Sequence, residues 1–429
     1  MNGLRLATFR ADVTPPIGHP LCAGWYSTAL GITDPLDALG VILFSDDSPV
    51  VLCALDWAEL SNRSHMQWCR TLADAAGTSA ERVVVKCTHA HCAPWPDEEA
   101  QRLLAAYPDV PQVMDPAWCD KALRRVADAV RSACAKVVPF THIGIGEAPV
   151  EQVASNRRIL GPDGTIKAVR WTKTVDAAVR AEPEGLIDPL LKTLSFWNDS
   201  RKLASLHFYA VHPTSYDNDR MVTSEFVGLA RERRHAEEPD VMHIYFTGCA
   251  GNITAGKYND GAIGNRPVLS ERIYRGIVDS EIDVERIPVC RFDWRVEPVS
   301  LMPREDMNEP DLLALIADDS QSGGARNRAA IMLASLRRQD VPTLLSYLDF
   351  DTRAGILNLP AESFIEYQLF AQQQLPQSFV AVSAYGDCGP GYICMEASYA
   401  EGGYEPTDSF VSPQCESTMK KAIETLLGS

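Results

Sequence analysis

The sequence has no apolar run approaching the roughly twenty residues that a membrane-spanning helix needs, which argues against a transmembrane segment. It is short of positive charge. Lysine and arginine number 40 against 57 aspartates and glutamates, and the net charge is -17. So acidic a surface argues against nucleic acid as a partner and against adhesion to anionic lipid through a basic patch. A small-molecule substrate is untouched by that exclusion. Twelve cysteines are present, yet no Cys-x-x-Cys pair occurs. Several sit inside apolar runs, such as Cys53 in Val50-Val51-Leu52-Cys53-Ala54-Leu55, as reduced, buried thiols do. The N-terminus has no apolar signal core. A cytoplasmic protein is the expectation. Internal repeats and low-complexity tracts are also missing, and oligomeric state leaves no trace in the sequence.

What remains is ordinary globular composition, 46% hydrophobic and 23% charged over 429 residues, ample for a large core. Residues 4–13 read as an opening strand. Leu39 to Phe44 and Val50 to Leu55 read as a hairpin around Ser45-Asp46-Asp47-Ser48-Pro49. Helices are expected over 62–76, after Asp115-Pro116, over 268–279, 311–317 and 325–338, from Ser363, and after Ser412-Pro413. Further strands are expected at Leu191 to Trp197, Leu203 to Val211, Met242 to Phe246, Leu344 to Phe350, Gly355 to Leu359 and Phe379 to Ala384. Strands with interspersed helices and no regular βαβ alternation predict an α+β fold with central sheets flanked by helices. Gly323-Gly324 is the best linker candidate, but strands continue on both sides. The expectation is one domain over 1–429.

The stretch around which the chain is organised is Val83-Val84-Val85-Lys86-Cys87-Thr88-His89-Ala90-His91-Cys92-Ala93-Pro94. Its β-branched start reads as a covered strand. Side chains alternate along a strand, so His89 and His91 share a face if the extended conformation persists. Paired histidines at a strand end suit a divalent metal. Polar residues recur at other expected strand ends: His212, Glu362 and Tyr392. Two histidines, a carboxylate and a water make a catalytic zinc site with an open position. Spacing alone does not select which residues converge. His207 lies on the opposite parity to Leu206 and Phe208 and reads as structural or surface. Cys87 and Cys92 read as packing, Asp12 as a tie for the first strand, and Asp217-Asn218-Asp219 as a solvated loop.

Several motifs, in order, resemble the neutral/alkaline ceramidase family. They are Ala11-Asp12-Val13-Thr14-Pro15, Thr88-His89-Ala90-His91-Cys92-Ala93-Pro94, Asn156-Arg157-Arg158, Ala210-Val211-His212-Pro213-Thr214-Ser215, Ala250-Gly251-Asn252-Ile253-Thr254, Leu359-Pro360-Ala361-Glu362-Ser363-Phe364, and Gly391-Tyr392-Ile393 with Tyr404-Glu405 downstream. The resemblance spans nearly the whole chain. It implies a zinc amidase that cleaves an N-acyl bond, with His89, His212, Glu362 and Tyr392 as ligands. His91 and Arg157 would flank the metal and stabilise the oxyanion, and Tyr404 would support the ligands by hydrogen bonding.

The departures bear on substrate. Where the family has Gly-Asp-Val-Ser-Pro-Asn, this chain has Gly251-Asn252-Ile253-Thr254-Ala255-Gly256. Thr254 keeps a hydroxyl and stays a candidate for the chemistry beside a structural-turn reading. Glu225 stands where the family usually has aspartate. The family's signal peptide and C-terminal immunoglobulin-like domain have no counterpart in the sequence. Ceramide is a membrane lipid, so a shortened acidic relative is expected to act on ceramide or on a more polar amide. An ester, lactone or glycosidic bond, or binding without turnover, are the competing readings.

Overall fold

The computed structural model describes residues 3–216 and 219–428. Three large sheets carry the architecture. The first runs Val83–Cys87, Val50–Leu55, Asp37–Phe44, Arg5–Asp12, Val138–Pro139. The second runs Met242–Thr247, Arg201–Tyr209, Leu190–Asn198, His142–Pro149, Glu285–Pro288. The third runs Asp293–Val299, Thr343–Phe350, Ala354–Asn358, Phe379–Ser383. Each is antiparallel except for one pair at its edge. Val50–Leu55 runs parallel to Val83–Cys87, Arg201–Tyr209 to Met242–Thr247, and Ala354–Asn358 to Phe379–Ser383. Parallel neighbours need a crossover. Helices Asn62–Ala76, Glu225–Glu237 and Ile365–Gln374 supply one each. The expected α+β architecture is present, and it contains three βαβ units that sequence reading did not resolve.

Strand parity explains the near-continuous apolar runs. Leu39, Val41, Leu43, Leu52 and Val84 face a core shared with Phe196, Phe208, Leu348 and Ile356 of the other two sheets. Ile42, Val51, Cys53, Val83 and Val85 face the opposite way, onto helices that contribute Trp68, Leu72, Leu123 and Val126. With both faces covered, no strand position needs to be polar.

The C-terminal ends of the three parallel pairs meet. The Cys87 N–H donates to the Tyr385 carbonyl at 2.8 Å, and the Ala384 N–H to the Thr247 carbonyl at 2.9 Å. The Thr247 hydroxyl donates to the Thr88 carbonyl at 2.7 Å. One point of the molecule thereby collects the exit of one parallel edge strand from every sheet.

Some expectations need correction. The strand stops at Cys87, and His89 takes a left-handed φ of 69°. Alternation along a strand is therefore not what brings His89 and His91 together. Gly323-Gly324 is no linker. Both glycines open the helix Gly323–Leu336, capped by the Ser322 hydroxyl. His207 is wholly buried, which removes the surface reading. The last helix begins at Cys415, two residues beyond Pro413. Asp12 is exposed, accepts from the Thr14 N–H at 3.0 Å and pairs with Arg125 at 3.2 Å, tying the first strand. Asp217 and Asn218 lie outside the described residues, while Asp219 accepts from the Met221 N–H at 3.1 Å. All twelve cysteines are free thiols. Among the described residues no helix is long and apolar enough to cross a membrane.

Candidate metal centre

His89 leaves strand Val83–Cys87, and its positive φ turns the ring into the junction of the three sheets. His212 follows strand Arg201–Tyr209, and its N–H donates to the Ile253 carbonyl at 3.0 Å. Glu362 follows strand Ala354–Asn358, after Ala361 at φ 49°. The three side chains are buried and converge. His89 Nε2 lies 2.8 Å from His212 Nε2, and Glu362 Oε2 lies 3.5 Å from both nitrogens.

The backbone settles the tautomers. A carbonyl oxygen only accepts hydrogen bonds. His89 Nδ1 sits 2.9 Å from the Ala58 carbonyl and His212 Nδ1 sits 3.1 Å from the Ala250 carbonyl, so both Nδ1 atoms carry the proton. Both Nε2 atoms are then lone pairs facing each other. Burial, reinforced by the neighbouring imidazoles, holds both rings far below the ordinary histidine range, so neither is protonated near pH 7. Two acceptors at 2.8 Å repel one another unless a cation joins them, and burial raises the adjacent Glu362 carboxyl to about 8, a cost that a cation at this point would relieve. Glu362 Oε2 has no hydrogen-bond partner. The donor set therefore fits a divalent metal ion.

His91 differs from the other two histidines. Its Nε2 is 3.1 Å from His89 Nε2, but its Nδ1 faces the Tyr26 hydroxyl at 3.0 Å, which can donate or accept. Its half-buried ring borders the cluster. Tyr392 is the register partner of Glu362 in a short parallel bridge. The Arg157 guanidinium lies 5.0 Å from the Tyr392 ring and 5.6 Å from the Tyr404 ring, and those two rings meet edge to face at 5.6 Å. Arg157 is anchored by Glu405, 2.8 Å from its Nε, and donates to the Gly251 carbonyl. A buried, paired guanidinium is a fixed positive charge that needs no reorganisation.

Thr254 stands apart from this cluster in its bonding. Its hydroxyl donates to the Arg170 carbonyl and accepts from the Gly256 N–H, each at 3.2 Å, and its backbone bridges His212. Asn252 ties two site loops together. Its side-chain carbonyl accepts from the Ile365 N–H and its amide donates to Glu366, each at 2.9 Å. An aspartate could not make the second bond. Glu225 accepts from Ser215 and pairs with Arg266 at 2.9 Å, holding the loop beyond His212. Cys87 and Cys92 are buried thiols whose pKa burial pushes up.

Three residues of the site escaped sequence reading. Glu59 is buried, with Oε1 3.7 Å from His89 Nδ1 and Oε2 lacking any hydrogen-bond partner. Burial, with the neighbouring charge of Glu362, raises its pKa well above the carboxylate range. Tyr385, at φ 57°, stacks on His89 at 4.3 Å and places its hydroxyl 3.4 Å from His212 Nδ1. Tyr26 is the third. A turn with left-handed residues at Cys22, Ala23 and Gly24 precedes it, and of these only the glycine is a signal in the sequence.

A scan against family models finds no match, and neither does a search of curated proteins. Solved structures do match. A neutral ceramidase from Pseudomonas aeruginosa superposes with a TM-score of 0.69 at 15% identity, covering 99% of this chain and 73% of that one. A ceramidase described as complexed with C2 gives 0.70 at 15% identity, covering 99% and 75%. This chain has a neutral-ceramidase-like fold.

Proposed function

We propose that this chain is a zinc-dependent hydrolase of N-acyl amides, acting on a ceramide-like lipid or a more polar amide. The observation that carries the reading is the convergence of two histidine lone pairs and the unpartnered Glu362 oxygen on one buried point. The neutral-ceramidase-like fold supplies the reaction class by analogy. Zinc suits two imidazoles with oxygen donors.

His89, His212, Glu362 and Tyr392 would hold the ion. Bound there, zinc supplies Lewis-acid polarisation of a carbonyl and a water of lowered pKa. Arg157, fixed by Glu405, sets a permanent positive charge beside Tyr392 for the negative charge that develops on the amide carbonyl oxygen. His91, held through Nδ1 by Tyr26, presents Nε2 to the same side, placed to hydrogen-bond the substrate carbonyl and pass a proton to the departing amine. Tyr404 packs behind Tyr392 and keeps the Arg157 face closed. Thr254 positions His212 through the backbone bridge rather than attacking. The described residues act as one catalytic unit, and twelve unpaired thiols suit a reducing compartment such as the cytoplasm.

The test is release of free acid from short- and long-chain N-acyl amides, ceramides included, by zinc-loaded and chelated protein. Zinc-dependent release is expected. A protein that binds one zinc yet releases acid from no N-acyl amide, while cleaving esters, lactones or glycosides, overturns the amidase assignment.

A further inference from the structure

A cavity of about 270 Å³ lies where the edge strand Val83–Cys87 meets helix Asn62–Ala76 and strand Thr343–Phe350. None of His89, His91, His212, Glu362 or Tyr392 lines it. At its inner end is Lys86, which shares strand parity with Val84 and so points at the core between the sheets. The lysine is 4% exposed. Its ammonium donates to the Leu359 carbonyl, and among the described residues it has no carboxylate partner. Lysine is almost never fully buried without one.

The other charges of the cavity do not neutralise it. Asp387 is matched by Arg338 and also accepts from the Asn62 and Gly389 N–H groups. Glu81 and Arg70, both exposed, also line it and cancel in formal charge. The excess is one positive charge, on Lys86. Ser346 and Asn358 bond each other, at 3.2 Å, and Asn358 also accepts from Ser383 at 2.8 Å. Val83, Val85, Met66, Val341, Pro342 and Leu344 supply apolar wall. Burial draws the Lys86 pKa down to about 8, as expected of an ammonium that still lacks its counter-charge.

We infer that this cavity binds a monocarboxylate with a medium-length apolar tail, its carboxylate on the Lys86 ammonium and its tail along the Met66, Val341 and Leu344 wall. A dry cavity of about 150 Å³ takes a benzene, so this one accommodates a chain of roughly six to eight carbons by the same measure. Inorganic anions match the charge but leave the wall wet. Alcohols of equal length match the wall but leave the charge unpaired.

The experiment is calorimetric titration of the full chain, as isolated with its metal, using octanoate, acetate, phosphate and 1-octanol as probes. Octanoate is expected to bind one per chain, at least tenfold more tightly than the other three. Lys86→Met keeps the side-chain length and is expected to weaken octanoate at least tenfold. Metal content should be unchanged and the thermal midpoint should be at or above the parent's, because an unpaired buried charge is gone. Leu344→Trp, at a half-exposed wall position, is expected to weaken octanoate by crowding the tail while the fold is retained. Failure of octanoate to bind the parent, or equally tight binding to Lys86→Met, overturns the inference. Since the readout is binding rather than turnover, neither result depends on the amidase assignment.

Discussion

At the scale of single residues, the site is defined by what each histidine nitrogen faces. Carbonyl oxygens hold the Nδ1 protons of His89 and His212 and leave each Nε2 a lone pair, whereas a phenol leaves His91 either tautomer. No spacing rule carries that distinction. It depends on Ala58, Ala250 and Tyr26, which the chain brings in from elsewhere. Glu59 makes the same point. In sequence it is one acidic residue in Asp56-Trp57-Ala58-Glu59, with no histidine nearby. In the structure it is a second buried carboxylate behind His89. Burial and Glu362 hold this carboxyl protonated when no cation is near, and beside a cation it would ionise, so its charge would favour an ion at the centre. Glu59→Gln keeps the volume and removes the charge. It is expected to lower metal affinity by about 10- to 100-fold, with thermal stability of the metal-free protein little changed at neutral pH, where the buried carboxyl is already protonated. Competition with a chelator of known affinity measures the first effect, and thermal unfolding of stripped protein the second. Unchanged metal affinity would assign Glu59 to packing.

Among elements, many of the long pieces were legible and the two-residue bridges were not, but the strands His142–Pro149 and Asp293–Val299 also went unread. Helix Asn62–Ala76 and the strand edges at Val50, Val83 and Phe379 follow from periodicity and β-branched runs. The crossover Glu225–Glu237 did not declare itself. It carries few apolar residues, and its first residue has a left-handed φ of 59°. The two-residue bridges that seat Glu362 beside Tyr392 and Thr254 beside Ser155 and His212 are too short for any pattern. Yet they set the spacing of the ligand loops. Gly251 is where two of those loops touch. A Cβ on it would run into the carbonyl oxygen of Glu362 itself, and its own N–H donates to the Ser363 carbonyl at 3.1 Å. Backbone cannot yield as a side-chain tip can. Gly251→Ala is therefore expected to push the Glu362 loop off the His212 loop. Metal affinity should fall at least tenfold, about 1.4 kcal/mol, though no ligand has been changed. Metal content after dialysis against a weak chelator reads the effect, and retention equal to that of the parent would show that the loops are free to separate.

For the molecule as a whole, three parallel edges brought to one junction explain why His89, His212 and Glu362, far apart in the chain, share a site. Sequence order announced the strand ends and the residue types that meet there, but convergence is a property of how sheets pack. The same packing buries a second histidine pair on the far side of the middle sheet. His207 Nδ1 lies 2.8 Å from the Thr193 hydroxyl, His207 Nε2 lies 3.0 Å from His243 Nδ1, and His243 Nε2 lies 3.2 Å from Glu238. Glu281 approaches from the end of helix Asn265–Asp279, with Lys202 and Arg234 already paired to it at 3.0 and 2.9 Å. Both ring nitrogens of His207 are engaged and two cations already pair with Glu281, so hydrogen bonds and ion pairs satisfy the cluster without a metal. Burial pulls His207 down to about 3 and His243 to about 4. Above the unfolded histidine value of about 6.5 both rings are neutral in folded and unfolded chains, and they contribute no pH dependence. As pH falls below that value, the unfolded chain takes up protons that the folded chain refuses. Stability is lost at up to about 1.4 kcal/mol per pH unit for each ring until the folded values are reached. Glu281, held down to about 2 despite burial by His207 and Lys202, adds its own loss only below about 4.5. Urea unfolding is thus expected to show stability declining from pH 6.5 toward 4 before the bulk of carboxylates titrate. His243→Gln should cost some stability at pH 7 and flatten the decline by about one proton. A slope between pH 6.5 and 4.5 that is the same in parent and variant would mean that His243 gains its proton in the folded protein as readily as in the unfolded chain.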